Sequence, residues 1–376
     1  MKSVTEVVAE GTLTPSSAPA AIAAPSPGAA PPPWAVLDIR VRGTEFVQLP
    51  IASILNSPQQ TGMGFWSLNP YVGCEFGCSY CYARYVHRYV VERAPGRGAP
   101  PAAASPPGGC GAAELPAPPG SGGASAWEAF ERRIFVKSEA PDVLARTLKP
   151  SRLEGQGILI GTATDPYQPA ERRFRLTRRV LERLAQFHGL RIGLITKSPL
   201  VARDVDVLRR LADRNDVTVH CSIVTVDVPL VRKLEPRSPM PPVRLRALAQ
   251  LAGAGIRAGV MIAPVLPGIT DDVPRLRALL VAAKEAGAAF AEASPLRLYP
   301  AIKPHFLPIV AREFPALLPR YERAFDERGE LSAAYGAALE RRVERLSREV
   351  GFGKTEGTGA QGHGGTGKAV QWELPL

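Results

Sequence analysis

Between Ile158 and Ala293 the chain alternates short apolar runs with stretches of helical period, and this alternation limits the fold more than any other feature. Ile158-Leu159-Ile160 is a short apolar run followed by a polar turn, and Leu176, Val180, Leu181, Leu184 and Phe187 then recur at helical spacing. Further strands are expected at Arg191–Thr196, Val217–Val224, Ile256–Ile262 and Ala288–Ala293. Helices are expected at Leu200–Leu211 and at Val243–Leu251, the second ended by Gly253 and Gly255. Thr270 or Asp271 is expected to cap the next helix, with Pro274 in its first turn. Five strand–helix units in series call for parallel strands joined by right-handed crossovers. An open doubly wound sheet and a complete or partial barrel both satisfy that pattern.

Outside this region the composition changes. The 376 residues include 35 Gly and 38 Pro, and they gather in three tracts. Residues 1–33 are Ala/Pro-rich and end in Pro31-Pro32-Pro33; a second tract runs over 94–125, and a third begins at Gly351. Such tracts bury too little apolar surface to offset the entropy of ordering, so they are expected to be disordered. The middle tract reads as an insertion, since loop closure costs only logarithmically more entropy as a loop lengthens. The expected organisation is a tail at 1–33, one domain at 34–350 and a flexible tail at 351–376. Within the domain lie a core at 67–300, the insertion at 94–125 and a C-terminal helical extension at 301–350. The last residues, from Gln371 and Trp372 to Leu376, turn apolar again and can dock onto the domain or a partner.

Several classes fall away. No run of about 18 uncharged apolar residues occurs, so no membrane association is expected. The N-terminus carries Glu6 and Glu10 and lacks a basic-then-apolar leader pattern. Five cysteines, three of them clustered, do not make a disulfide scaffold, so a reducing cytoplasm is expected; a monomer is expected as well. The net charge of +11 raises the expectation of an anionic partner, DNA or RNA first, although Arg-rich compositions also produce basic proteins that bind no polymer.

The chemistry-bearing feature is Asn69-Pro-Tyr-Val-Gly-Cys74-Glu-Phe-Gly-Cys78-Ser-Tyr-Cys81-Tyr82. Three of the five cysteines fall at C-x3-C-x2-C spacing, close enough to wrap one soft metal centre. Gly73 and Gly77 supply the backbone freedom to turn the sulfurs inward. Two centres fit: an iron–sulfur cube with one iron left open, or zinc with His87 as a fourth donor. The zinc alternative corresponds to a metal-organised nucleic-acid-binding module without catalysis, and it leaves the strand–helix units unexplained.

The motif with Tyr80 as its aromatic resembles the signature of the radical S-adenosylmethionine (SAM) enzymes. Three further stretches, Gly161 to Glu171, Ile195-Thr-Lys-Ser198 and Leu234-Glu-Pro-Arg-Ser-Pro239, are similar to the spore photoproduct lyase-like branch of that family. The resemblance implies an α/β fold, a partial (β/α)6 TIM-like barrel. It implies a [4Fe-4S] cluster on Cys74, Cys78 and Cys81, SAM chelated at the open iron, and an external reductant such as flavodoxin or ferredoxin. The implied reaction cleaves SAM reductively to a 5′-deoxyadenosyl radical that abstracts hydrogen from a substrate. A nucleic acid base is the first expectation for that substrate, and a peptide or small molecule the second.

The same resemblance distributes roles. Tyr80 and Tyr82 are radical-relay candidates, and Tyr80 also contacts adenine through its backbone. Thr164 and Asp165 correspond to the pair that holds the SAM amino group, against a plain Asp-Pro turn. Lys197 pairs with the SAM carboxylate, or is a solvated loop lysine. Strand alternation puts Thr218, His220 and Ser222 on one face and Val217, Val219, Cys221 and Ile223 on the other, which brings Ser222 to SAM and leaves Cys221 a buried inert thiol. Glu235 and Arg237 grip the ribose or substrate, or bridge each other. Met261-Ile-Ala-Pro264 packs on adenine or ends a core strand. The chain departs from the lyase at Thr162, where the lyase has a hydrogen-donating cysteine; a hydroxyl cannot replace it, because O–H is far stronger than S–H.

Overall fold

The computed structural model describes residues 35–353 apart from 41–42, 62–63, 85–86, 88–89, 91–125 and 154. The tracts expected at 1–33 and 94–125, residues 354–376 of the terminal tail, Cys110 and the Gln371–Leu376 segment lie outside the described residues.

The strands, in chain order, are β1 (Val36–Ile39), β2 (Glu45–Gln48), β3 (Leu55–Asn56), β4 (Trp66–Leu68), β5 (Tyr71–Val72), β6 (Arg133–Val136), β7 (Ile158–Ile160), β8 (Arg191–Thr196), β9 (Asp216–Ser222), β10 (Arg257–Val265) and β11 (Ala291–Pro295). Seven form one sheet in the order β11-β10-β9-β8-β7-β4-β3. Six of these, β4 and β7 to β11, run parallel, and β3 lies antiparallel on β4. This is the parallel sheet of a partial TIM-like barrel. A second sheet, β1-β2-β6-β5, forms from segments flanking the cysteine loop. No strand–helix alternation announces it, because its strands are short and come from residues far apart in sequence.

The helices that matter below are α1 (Ala140–Thr147), α2 (Leu176–Leu184), α3 (Val205–Ala212), α4 (Val228–Leu234), α5 (Pro241–Gly253), α6 (Val273–Glu285), α7 (Lys303–Glu313) and α8 (Ala333–Val350). Helix α2 shows how they pack. Leu176, Val180, Leu181 and Leu184 share one face and are all buried, each worth roughly 1.5–3 kcal/mol relative to exposure. Val217, Val219 and Cys221 of β9 enter the same core, between sheet and helices. Among the described residues no helix is long and apolar enough to cross a membrane.

Three local expectations are corrected. The helix expected over Leu200–Leu211 opens as a 3-10 turn, Pro199–Asp204, capped by the Ser198 side chain, and becomes α-helical at Val205. Helix α6 is capped by Asp272, which accepts from Arg275 N at 2.9 Å. The two residues expected in that role close the preceding turn instead: Thr270 Oγ1 accepts from Leu266 N, and Asp271 Oδ1 from Gly268 N. The last strand starts at Ala291, later than expected, because the Ala288 N–H is taken by Ala283 O at the end of α6.

Candidate active site

The loop carrying the three cysteines leaves β5 and lies over the C-terminal ends of the parallel strands. It is fastened from several sides. Gly73 O accepts from Thr164 Oγ1 at 2.6 Å and from Gln168 Nε2 at 3.0 Å. Cys74 N donates to Phe130 O at 3.0 Å, Glu75 N to Gln168 Oε1 at 3.0 Å, and Ser79 N to Leu234 O at 2.9 Å. Gly73 (φ +87°) and Gly77 (φ +61°) take left-handed conformations that let the chain double back.

Beneath the loop lies a cavity of about 190 Å³ that opens to solvent. Its wall is drawn from the strand ends, as in parallel barrels. Gly161 to Asp165 come after β7, Thr196 and Lys197 from β8, Ser222 from β9, Met261 and Pro264 from β10, and Ser294 to Arg297 from β11 and beyond. Cys74, Cys78, Cys81, Tyr80 and Tyr82 complete it. The geometry therefore brings most of the sequence-derived residues to one place.

All three sulfurs sit in a desolvated wall. Burial raises the Cys74 thiol well above its ordinary range, and Asp165, Cys78 and Cys81 add to this by repelling a thiolate. Burial and Glu235 push Cys78 up to about 12. Burial also raises Cys81. Three thiolates that repel one another in a low-dielectric wall need a cationic centre beside them, and sulfur is the donor iron–sulfur groups use. Among the described residues no three metal-ligating side chains close around a single-ion point. His87, the fourth donor of the zinc alternative, is committed elsewhere: its Nε2 lies 2.9 Å from Arg133 O, and its ring packs between Phe130 and Phe135. Burial lowers its basicity to about 4.

The other residues divide by how their polar atoms are used. Asp165 accepts from Thr196 Oγ1 and Lys197 N, each at 2.7 Å, and from Tyr167 N at 2.9 Å, so it ties the end of β7 to the end of β8. Thr164 holds Gly73 and accepts from Gln168 Nε2 at 2.9 Å. Lys197 Nζ donates to Ser222 Oγ at 2.7 Å, lies 3.3 Å from Glu235 Oε1, and stands 5.7 Å from the Tyr80 ring centroid. Tyr80 donates its hydroxyl to Glu235, and Tyr82 donates to the Thr162 carbonyl. Burial raises both phenols, that of Tyr80 further through Glu235 and that of Tyr82 through Cys81.

Glu235 and Arg237 do not bridge each other. Glu235 is fully buried, and its partners are Tyr80, Lys197 and Arg244. Arg237 is not part of the cavity wall; it pairs with Glu131 and lies against Gly77 on the outer side of the cysteine loop. His220 sits in the barrel interior with Nε2 at 3.2 Å from Thr218 Oγ1, Nδ1 at 3.2 Å from Glu292 Oε2 and its ring edge-on to Phe290. Thr162 Oγ1 lies 2.7 Å from Ser67 Oγ and 3.0 Å from Asn69 Nδ2.

Sequence reasoning missed Arg244, Asn69 and Gln168. Asn69 and Gln168 stood inside quoted motifs, but nothing in a motif says which side chain turns back to hold its own loop. Arg244 had a readable signal: it is spaced i, i+3, i+4, i+7 with Ala247, Leu248 and Leu251, all buried, so the helical period already put a guanidinium on the core stripe of α5.

Residues 68–280, more than half of the chain, match the family model described as the Radical SAM superfamily. Uncharacterized proteins of Mycobacterium tuberculosis and Mycobacterium bovis are 29% identical over 306 residues, which is 81% of this chain and 80% of theirs. An uncharacterized protein of Methanocaldococcus jannaschii is 26% identical over 204 residues, 54% of this chain and 61% of that one. Among solved structures, spore photoproduct lyase complexed with dinucleoside spore photoproduct aligns over 81% of this chain and 79% of its own, with a TM-score of 0.55 at 14% identity. A mutant of that lyase with bound AdoMet and the same dinucleoside aligns over 76% and 74%, with a TM-score of 0.52 at 14% identity. At that identity the likeness is one of fold.

Proposed function

The chain belongs to the radical SAM superfamily and is an enzyme of that class; on that premise we propose that it binds a [4Fe-4S] cluster and SAM in the cavity under the cysteine loop and takes hydrogen from a nucleic acid base. The observation that carries this reading is the meeting of Cys74, Cys78 and Cys81 with the C-terminal ends of the parallel strands around one cavity. The three thiolates would hold the cluster. When bound, the cluster would pass an electron from an external reductant to the SAM sulfonium, breaking its C5′–S bond to give methionine and a 5′-deoxyadenosyl radical able to abstract hydrogen.

The protein's own work is positioning and exclusion of water. Lys197, whose Nζ is shared between Ser222 and Glu235, offers positive charge to a ligand carboxylate. Ser222 fixes that ammonium and lies at the strand end beside Met261 and Pro264, an apolar surface for an adenine ring. Thr164 and Asp165 keep the cluster loop and the β8 end in register. Tyr82, Tyr299 and Arg297 on the cavity wall suit a flat base with a phosphate nearby. The net charge of +11 supports a polyanionic substrate. Thr162 offers no thiol to return a hydrogen atom, so the product radical draws its hydrogen from another source. An external one-electron reductant of flavodoxin or ferredoxin type completes the reading.

The test is anaerobic reconstitution with iron and sulfide, then reaction with dithionite and SAM. The wild type should gain a brown chromophore and release 5′-deoxyadenosine; Cys78→Ala should lose both. A colourless wild type, or product unaffected by Cys78→Ala, refutes the cluster assignment. Binding to DNA or RNA should weaken steeply with salt, and weak, salt-independent binding would remove the nucleic acid substrate.

A further inference from the structure

Behind the cavity lies a buried arginine that the mechanism above does not use. Arg244 on α5 has a side chain 2% exposed, and it is the largest of the fully buried side chains. Each of its three guanidinium nitrogens has a partner. Nε donates to Pro239 O at 2.6 Å, Nη1 to Ser222 O at 2.9 Å, and Nη2 to Glu235 Oε2. The other Glu235 oxygen takes the Tyr80 hydroxyl and lies 3.3 Å from Lys197 Nζ. One buried carboxylate is thus shared by two cations.

The charges decide what this arrangement does. Glu235 carries −1, Lys197 and Arg244 each +1, and the group keeps one positive charge in excess. Burial by itself would raise the Glu235 carboxyl, yet Lys197 and Arg244 hold it down at about 2, so it stays ionised. Arg244 does not reach the cavity; Lys197 does. The excess charge is therefore presented to the ligand through Lys197. Without Arg244, Glu235 would close on Lys197 as a neutral pair, and a buried pair of that kind is tight because nothing else solvates either ion.

We propose that Arg244 is a positioning residue that neutralises Glu235 and so leaves the Lys197 charge available to the carboxylate end of the ligand. The proposal rests on the reading of the cavity as a SAM site. It makes Arg244 a determinant of selectivity for an amino-acid-bearing nucleoside over the bare nucleoside.

Equilibrium binding to the reconstituted holoenzyme tests this with two ligands, SAM and 5′-methylthioadenosine, which keeps the nucleoside and lacks the amino acid. In Arg244→Met the affinity for SAM should fall about 10- to 100-fold, the worth of one charge-assisted hydrogen bond. The affinity for 5′-methylthioadenosine should stay unchanged. In the double variant Glu235→Gln/Arg244→Met the carboxylate that would capture Lys197 is gone, while Asp165 stays held by Thr196 Oγ1, Lys197 N and Tyr167 N, so the wild-type preference for SAM should return. A merely structural arginine would weaken both ligands in parallel, and that result overturns the proposal, as does a double variant no more selective than the single one. If Arg244→Met fails to fold, the double variant alone carries the test and must keep the wild-type ratio. Failure of the wild-type holoenzyme to bind SAM at all would instead overturn the cofactor reading on which the proposal stands.

Discussion

The two glycines of the cysteine loop make a sharp test, because the same substitution meets different surroundings at each. Both adopt positive φ, so a Cβ at either costs about 1–2 kcal/mol from conformation alone. At Gly73 the added carbon would stand 2.9 Å from Phe130 O and 3.0 Å from Arg133 O, both backbone atoms, and 3.2 Å from Ile134 Cδ1. Phe130 O also accepts from Cys74 N, so moving it away loosens the first cysteine. Overpacking against such neighbours adds roughly 1–3 kcal/mol, for a total near 2–5 kcal/mol. At Gly77 the close neighbour is the Arg237 guanidinium, the far end of a flexible side chain. Displacing it sacrifices a half-exposed pair with Glu131 worth about 0–1 kcal/mol, for a total near 1–3 kcal/mol. Anaerobic urea unfolding, together with iron and sulfide content, reads both effects. Gly73→Ala should be the less stable and should carry less iron; Gly77→Ala should keep most of its iron. A Gly73→Ala variant as stable and as iron-rich as the wild type, or a larger penalty at Gly77, would refute the reasoning.

Other outcomes follow from the same geometry. Burial lowers the Lys137 amine to about 8, and its Nζ donates to Asn69 O at 2.8 Å. Its buried charge is therefore a cost below pH 8 that is relieved as pH rises toward 10.5, where folded chains have lost the proton and unfolded ones keep it. The wild type should gain stability over Lys137→Met by about 2–3 kcal/mol across that window, and a pH-independent difference in unfolding free energy would contradict this. Gly259→Ala would put a Cβ 2.5 Å from Phe290 O inside the barrel, so its unfolding free energy should fall by roughly 1–3 kcal/mol or more; an unchanged midpoint would show that the β10–β11 edge yields more easily than its packing implies. Tyr82→Phe should retain iron and cleave SAM while losing substrate turnover if Tyr82 relays the radical, and chromatography of 5′-deoxyadenosine against substrate product measures that uncoupling.

The parallel units were legible because the strands read as short apolar or alternating runs and a helix such as α2 buries one face, which writes two distinct periods into the chain. Ile158–Ile160 and Arg191–Thr196 match the observed strands residue for residue. The small sheet was not legible, since β2 pairs with β6 across the whole cysteine loop and none of its strands is longer than four residues. The cysteine triad was legible because its ligands come from one short segment. The clamp around Glu235 was not, because its members come from the cysteine loop, β8, the end of α4 and α5, and only folding brings Tyr80, Lys197, Glu235 and Arg244 together.

The use of each lone pair then separates residues that touch a ligand from residues that hold those that do. An ionised carboxylate offers roughly four acceptor positions. Asp165 gives three to Thr196, Lys197 and Tyr167, and Glu235 gives three to Tyr80, Lys197 and Arg244. Glu235, which is not part of the cavity wall, acts on the chemistry through the geometry it imposes, whereas Asp165 lines the cavity and keeps an acceptor position facing a ligand. Lys197 is the point where both commitments meet: Asp165 fixes its backbone N–H, Glu235 and Ser222 its ammonium. A change at either carboxylate should therefore be felt first as a displaced lysine, and Lys197→Met should abolish the effect of Arg244→Met on ligand selectivity, because the charge that Arg244 protects would no longer be there.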